Sequence, residues 1–183
     1  MMIYFVTANK NKLREMESIL ELKLKHINLD LDEIQAVEVR KVVEHKTKKA
    51  FQKIRKPVLV EDTGLYFKAW NGLPGALIKW FDLTLGYKEL CQLLGKSRQA
   101  RAQTVIGYFD GKRYKDFIGE IKGSIAKNPK GKRGFGWDSI FIAQIHKKTF
   151  AQMTPEEKNN ISMRKIAALK LKNFLKQKQL LLK

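Results

Sequence analysis

Apolar positions fall at two spacings along this chain, one fitting short strands and the other helices. Ile3-Tyr4-Phe5-Val6 reads as a buried first strand. A small polar turn follows, Thr7-Ala8-Asn9-Lys10-Asn11-Lys12, and then Leu13, Met16, Leu20 and Leu24 recur at helical spacing. Residues 27–31 predict a second strand that ends on Asp32-Glu33-Ile34-Gln35. Residues 38–54 predict a helix with Val39, Val42, Val43, Ala50, Phe51 and Ile54 apolar. After Pro57, the triplet Val58-Leu59-Val60 predicts a strand that stops at Glu61-Asp62 and turns at Thr63-Gly64. A short amphipathic helix is expected over 87–94. Two strands, 104–109 and 112–118, flank Asp110-Gly111, a signal for a two-residue hairpin. A further strand is read at Ile140-Phe141-Ile142. Thr154-Pro155-Glu156-Glu157 is a capping box with proline at the first helical position. The last helix should place Met163, Ala167, Leu171 and Leu175 on one face.

Composition narrows the class. At 183 residues, with 44% hydrophobic and 30% charged positions, the chain suits one globular domain, residues 1–183, or two lobes on one core. No repeat, low-complexity linker or domain boundary interrupts it. The apolar start is too short for a signal peptide, and no apolar run reaches membrane-spanning length. Cys91 is the sole cysteine, so no internal disulfide can form; it lies among leucines as a small buried hydrophobe, and a reducing compartment is expected. A net charge of +19 implies attraction to anions. From Lys158 onward the chain holds basic residues and no acid, and 121–137 repeats that bias. Nucleotides, nucleic acid and acidic membranes are all consistent with the charge alone.

Three stretches carry candidate chemistry. Strand, polar turn and helix at the start place backbone N–H groups and Lys12 where a phosphate could bind. This is not a Walker loop, and Gly95-Lys96-Ser97 is not one either, because Leu90 stands where its first glycine belongs and a helix precedes it. Glu61 and Asp62, followed by the bend Asn71-Gly72-Leu73-Pro74-Gly75 and then Lys79, suit a site that holds a metal and a phosphate together. The competing reading makes Asp62 a cap or turn residue. Gly134-Phe135-Gly136-Trp137-Asp138 offers rings to stack on and a carboxylate to read an N–H edge. The competing reading is an aromatic core anchor.

Taken in order, these motifs resemble the inosine triphosphate pyrophosphatase family across essentially the whole chain. The matching residues are T-x-N-x-x-K at Thr7, Asn9 and Lys12; Glu33 with Gln35; VEDTGL from Val60; LPG and IKWF; FGWD from Phe135; EKN from Glu157; and Ser162 with Arg164. The resemblance implies an α/β fold: a long twisted mixed sheet flanked by helices, with two lobes and a nucleotide-binding cleft between them. It implies hydrolysis of inosine, deoxyinosine or xanthosine triphosphate to monophosphate and pyrophosphate by a cytoplasmic homodimer. Magnesium would be held by Glu33, Glu61 and Asp62, with Asp62 as general base. Thr7 and Asn9 would contact substrate, and Lys12, Lys46, Lys79 and Lys158 would balance the phosphates. Phe135, Gly136 and Trp137 would frame the base, with Asp138 and Arg164 at its edge. Three positions depart from the family: Met163 replaces a histidine, Gln152 a glutamate and Ser139 a proline. The alternative is a basic nucleic-acid-binding protein on a degenerate version of this fold, working through its basic tail. Retention of Glu33, Glu61 and Asp62 favours the enzyme, since a polyanion binder has no use for them.

Overall fold

One long strand organises the molecule. In the computed structural model, which describes residues 3–21 and 23–178, β3 runs from Val58 to Phe67. Its two sides are treated differently. On one side, β5 (Gln99–Phe109) pairs antiparallel with its whole length, from Val58 opposite Phe109 to Phe67 opposite Ala100. On the other, its first residues pair in parallel with β1 (Tyr4–Val6), and Leu65-Tyr66 pair antiparallel with β4 (Pro74–Gly75). β2 (Lys25–Ile27) extends the parallel edge beyond β1. β6 (Tyr114–Ile125) and β7 (Phe141–Ala143) extend the antiparallel edge beyond β5. The result is a seven-stranded mixed sheet ordered β2-β1-β3-β5-β6-β7, with β4 on the side of β3.

Helices cover both faces, and strand alternation decides what each meets. Val58 and Val60 face α2 (Val39–Ile54), packing with Val6 and Ala50, while Tyr66 and Val105 pack with Val39 and Val43. The opposite face carries Leu59, which joins Phe5, Ile106 and Tyr108 under α1 (Lys10–Leu20) and α5 (Met163–Gln177). Further along that face, Leu65 and Phe67 enter a separate cluster with Leu90, Trp137, Phe141 and Phe150. Between the two clusters lie Glu61 and Thr63. The apolar core is therefore divided at the acidic pair.

Several sequence expectations shift. β3 does not stop at Glu61-Asp62, because β5 supplies a ladder partner to every residue through that stretch. β2 lies at 25–27 rather than 27–31. The β5–β6 connection closes with Phe109 opposite Tyr114, leaving four residues in the loop. Asp110 satisfies it by accepting from the N–H groups of Lys112 and Arg113, so the two-residue hairpin is not formed. α1 starts at Lys10 under an Asn9 cap and ends at Leu20, leaving Leu24 outside it. The helix expected over 87–94 is the second half of α3 (Ile78–Leu93), which bends at Gly86. The Thr154 capping box forms as expected and starts α4 (Pro155–Ile161).

Candidate active site

The two partners on the outer side of β3 leave a gap. Pairing with β1 ends at Val60 opposite Val6, and pairing with β4 begins at Leu65 opposite Gly75. Residues 61–64 therefore have a ladder partner only in β5. Beside this open edge, past the C-terminal ends of the parallel strands, lies a cleft of about 490 Å³. All the site residues read from the sequence line it: Thr7, Asn9, Lys12, Glu33, Lys46, Glu61, Asp62, Lys79, Phe135, Gly136, Trp137, Asp138, Lys158 and Arg164. A larger hollow of about 870 Å³ opens at the far end of the sheet, but its walls carry no carboxylate.

At one end of the cleft, cations and carboxylates alternate. The Asn9 side chain caps α1, accepting from the N–H groups of Asn11 and Lys12. That cap fixes Lys12 in the first turn, and its ammonium reaches the Asp62 carboxylate at 2.9 Å and Glu61 at 3.7 Å. Lys46, from α2, stands 3.4 Å from Asp62 and 3.2 Å from Glu33. Burial would push the Asp62 carboxyl up. The Lys12 and Lys46 charges, with hydrogen bonds from Lys12 and the Thr63 N–H, outweigh that and bring it down to about 2. Burial likewise works against the Lys12 ammonium, but Asp62 and Glu61 outweigh it and raise its pKa. Lys79 has no ion-pair partner among the described residues and lies 5.7 Å from the Trp80 ring centre.

Glu61 and Asp62 do not act as a pair. Alternation along β3 points Asp62 toward α2 and Glu61 toward α1 and α5, where Arg164 engages both Glu61 oxygens at 3.0 and 3.2 Å. Arg164 also donates to Glu15, which binds Lys158 at 2.8 Å, and Lys158 in turn binds Asp138 at 2.6 Å. The Asp138 oxygen that meets Lys158 also accepts from the Phe135 N–H at 2.8 Å. An alternating series Glu61, Arg164, Glu15, Lys158, Asp138 thus runs along the back wall from one end of the cleft to the other. Its charges are mutually satisfied, and all but the half-buried Glu15 are buried. Burial is the largest influence on the Asp138 carboxyl and pushes it up, opposed by Lys158. Burial also pushes Glu15 up, but Arg164 and Lys158 outweigh it and lower it.

The series adds contacts that the sequence did not show. Glu61 is engaged by Arg164, and Lys158 and Arg164 each meet two carboxylates of the series, bracing the wall on which the sequence placed them. Glu15 was not anticipated. In the pattern Arg14-Glu15-Met16-Glu17 it reads as part of the solvent face of α1, and only the docking of α5 encloses it.

The other end of the cleft is aromatic. A 3-10 turn over Gly136–Ser139 presents Phe135 and Trp137. Gly134 adopts φ +75°, and a Cβ there would meet the Asp138 carboxylate at 2.2 Å, so the loop needs glycine to close on Asp138. Phe135 is half-buried, with the Lys158 ammonium 4.6 Å from its ring centre. Trp137 is 7% exposed and packs against Phe141 and Phe150, with ring centres 5.7 and 6.4 Å away. It is a core anchor and a cleft wall at once, so both sequence readings of this motif describe it. Met163, Asp82 and Tyr87 also line the cleft. Asp82 lies on the half of α3 that the sequence pattern did not reveal, and Tyr87 opens the half that it did, just past the bend at Gly86.

A mixed sheet with a cleft at an open strand edge, ionic at one end and aromatic at the other, defines an α/β protein built for an elongated anionic ligand with a flat head. The chain belongs to the Ham1 family, whose sequence profile matches residues 3–174. It is 42% identical to an inosine triphosphate pyrophosphatase of Schizosaccharomyces pombe, over 97% of this chain and 96% of that protein. It is 37% identical to a dITP/XTP pyrophosphatase of Thermococcus kodakarensis, over 97% of this chain and 98% of that protein. Among solved structures, a HAM1 protein from Coxiella burnetii superposes with a TM-score of 0.85 at 27% identity, covering 97% of this chain and all of the other.

Proposed function

We propose that the protein hydrolyses non-standard purine nucleoside triphosphates, those of inosine, deoxyinosine and xanthosine, to the monophosphate and pyrophosphate. The observation that carries this reading is the polarity of the cleft. Lys12 and Lys46 gather at one end with Asp62 and Glu33, the ring of Phe135 and the wall of Trp137 lie at the other, and Lys79 also lines the cleft. Relatives that match the chain nearly end to end carry the names of such pyrophosphatases.

The donor set fits a divalent cation. Lys46 places a positive charge between Glu33 and Asp62, and magnesium commonly takes one or two carboxylates together with substrate phosphates. Glu33 and Asp62 would hold it, and when bound it would neutralise the phosphates and orient water. With Glu61 engaged elsewhere, no group of three acidic, histidine or cysteine ligands assembles among the described residues. Substrate phosphates would supply further oxygens to the cation.

Asp62 is the proposed general base. With Lys12 and Lys46 both upon it, its carboxylate is a poor proton acceptor. A polyphosphate competes for both ammonium groups, and drawing them away raises the basicity of Asp62 only when substrate is present. Family resemblance further suggests a cytoplasmic homodimer acting as a single domain, which sedimentation and limited proteolysis can test. Among the described residues no helix is long and apolar enough to cross a membrane.

The deciding experiment is a nucleotide panel with magnesium, scoring pyrophosphate and orthophosphate separately. Pyrophosphate from inosine or xanthosine triphosphate is expected. Orthophosphate with diphosphate would refute the bond assignment, and no hydrolysis of any triphosphate would refute the enzyme.

A further inference from the structure

The turn that leaves β7 strains an exposed apolar residue. The His146 N–H donates to the Ala143 carbonyl at 3.0 Å, closing a four-residue turn with Gln144 and Ile145 at its centre. Ile145 has φ +68° and is 94% exposed. The third place of such a turn, at positive φ, ordinarily falls to glycine or asparagine, because a β-branched side chain is strained there. A single exposed isoleucine is common on a protein surface. Here it is also held in a left-handed conformation, and at that exposure no packing within the chain offsets the strain.

Cations surround this tip. His146, Lys147 and Lys148 follow it directly and are exposed. The Gln144 N–H donates to the Lys122 carbonyl, which places Lys122 beside the turn. The loop over residues 127–133 is seated against the same segment: the Thr149 hydroxyl donates to the Lys130 carbonyl at 2.8 Å, and the Arg133 N–H donates to the Ala151 carbonyl. That loop carries the exposed Lys130 and Lys132. Glu157 lines the small hollow beside Ile145 and stands 3.8 Å from Lys148. Lys122, Lys130, Lys132 and Lys147 have no ion-pair partner among the described residues, unlike Lys172 and Lys178, which meet Glu21 and Asp110.

Charge and apolar tip together narrow the partner. A nucleic-acid strand would use the lysines but leave the isoleucine in water. A second copy of the chain would bring like charges face to face. An anionic bilayer uses both, with lysines at its headgroups and an aliphatic side chain at the boundary with the acyl chains. We propose that the Ile145 turn and the lysines around it dock the protein reversibly on anionic lipid surfaces. This docking is independent of what the catalytic cleft turns over.

The test is co-sedimentation of the full chain with vesicles of phosphatidylcholine alone and of phosphatidylcholine with about one third phosphatidylserine. Binding is expected only to the anionic vesicles and should weaken as salt is raised. Ile145→Asn removes the apolar tip and suits the left-handed backbone. It should therefore raise the melting temperature while lowering vesicle affinity several-fold, a pair of changes that loss of folding cannot produce. Replacing Lys147 and Lys148 together by glutamine should lower affinity by roughly 10- to 30-fold, since each lysine at an anionic surface is worth roughly 5-fold. Melting temperature and nucleotide turnover should not change in that variant. No binding of the wild type to anionic vesicles overturns the proposal, and so does vesicle binding that is indifferent to either set of changes. A single-stranded oligonucleotide bound through Lys147 and Lys148 while vesicles are ignored would assign the patch to nucleic acid instead. A dimer that Ile145→Asn converts to monomer, seen by sedimentation velocity, would make this face a contact between copies and equally overturn it.

Discussion

Asp62 is where the proposed chemistry meets a measurable charge. Asp62→Asn keeps the shape but removes the base and a charge that holds Lys12 and Lys46. Turnover should fall at least about 10²-fold with the fold retained, the low end of a positioned base's contribution; near-normal turnover would exclude Asp62 from that role. Its pKa gives a second readout. The folded value of about 2 lies below that of an unfolded aspartate, near 3.9. The stabilisation from Asp62 is therefore complete above about pH 4 and lost as pH falls through about 2. Wild type and variant should differ in melting temperature at neutral pH and converge in strong acid, and a difference that persists below pH 2 would contradict the ion-pair account. Met163 poses a different question at the same scale. The family resemblance expects histidine there, and the methionine is 2% exposed, packed beside Trp137 and Phe150 with one side on the cleft. A thioether offers contact but little directional bonding, so discrimination among purines should be weak. Met163→His should widen the kcat/KM ratio of inosine over guanosine triphosphate by roughly 2- to 12-fold, the value of one hydrogen bond. A ratio that stays or narrows, at unchanged melting temperature, would mean the base is read elsewhere.

At the scale of elements, the parts legible in the sequence are those whose cause is local. The opening strand and turn, α2 and the Thr154 capping box each follow from neighbouring residues. Where the cause is distant, the pattern misleads. The acidic pair looked like a strand end because nothing nearby could satisfy it; its partners are a ladder in β5 and Arg164, which lies 103 positions away from Glu61. The first half of α3 was missed for a related reason. It begins at Leu77 without a side-chain cap and breaks at Gly86, so neither a start signal nor a clean period marks it. Glu15 was invisible because its partners, Lys158 and Arg164, reach it from across the fold. These long-range contacts also carry stability. Glu61 joins β3 to α5, and Glu61→Ala would leave the buried Arg164 with Glu15 as its one carboxylate partner among the described residues. Breaking one side of a buried ion pair costs about 3 kcal/mol or more. Urea unfolding should register that loss, whereas a change below about 1 kcal/mol would show the series to be dispensable for the fold.

For the whole molecule the surplus of positive charge is the remaining question. Much of the basic C-terminal run is helix surface with local acceptors. Lys172 meets Glu21, Lys178 meets Asp110, and Lys170 donates to the Ile118 carbonyl. Lys183 and its neighbours from 179 lie outside the described residues. A truncation meant to probe a tail should therefore start after Lys178, since cutting at Lys176 would also remove the Asp110 contact. A net charge of +19 still acts at a distance. Its field should draw a triphosphate toward the cleft, and salt should weaken that pull, because the screening length is about 10 Å at 0.1 M and 3 Å at 1 M. Between 50 mM and 0.5 M salt, kcat/KM should fall several-fold while kcat holds, since encounter is screened but the buried site is not. A flat kcat/KM would show that the surface charge does not steer substrate. The same titration addresses nucleic acid. A single-stranded oligonucleotide should bind only weakly at physiological salt, with the steep salt slope of non-specific phosphate contacts, and should leave triphosphate turnover unaffected at saturating substrate. Tight binding that survives 0.5 M salt would instead require a built nucleic-acid surface and would reopen the alternative reading of this charge.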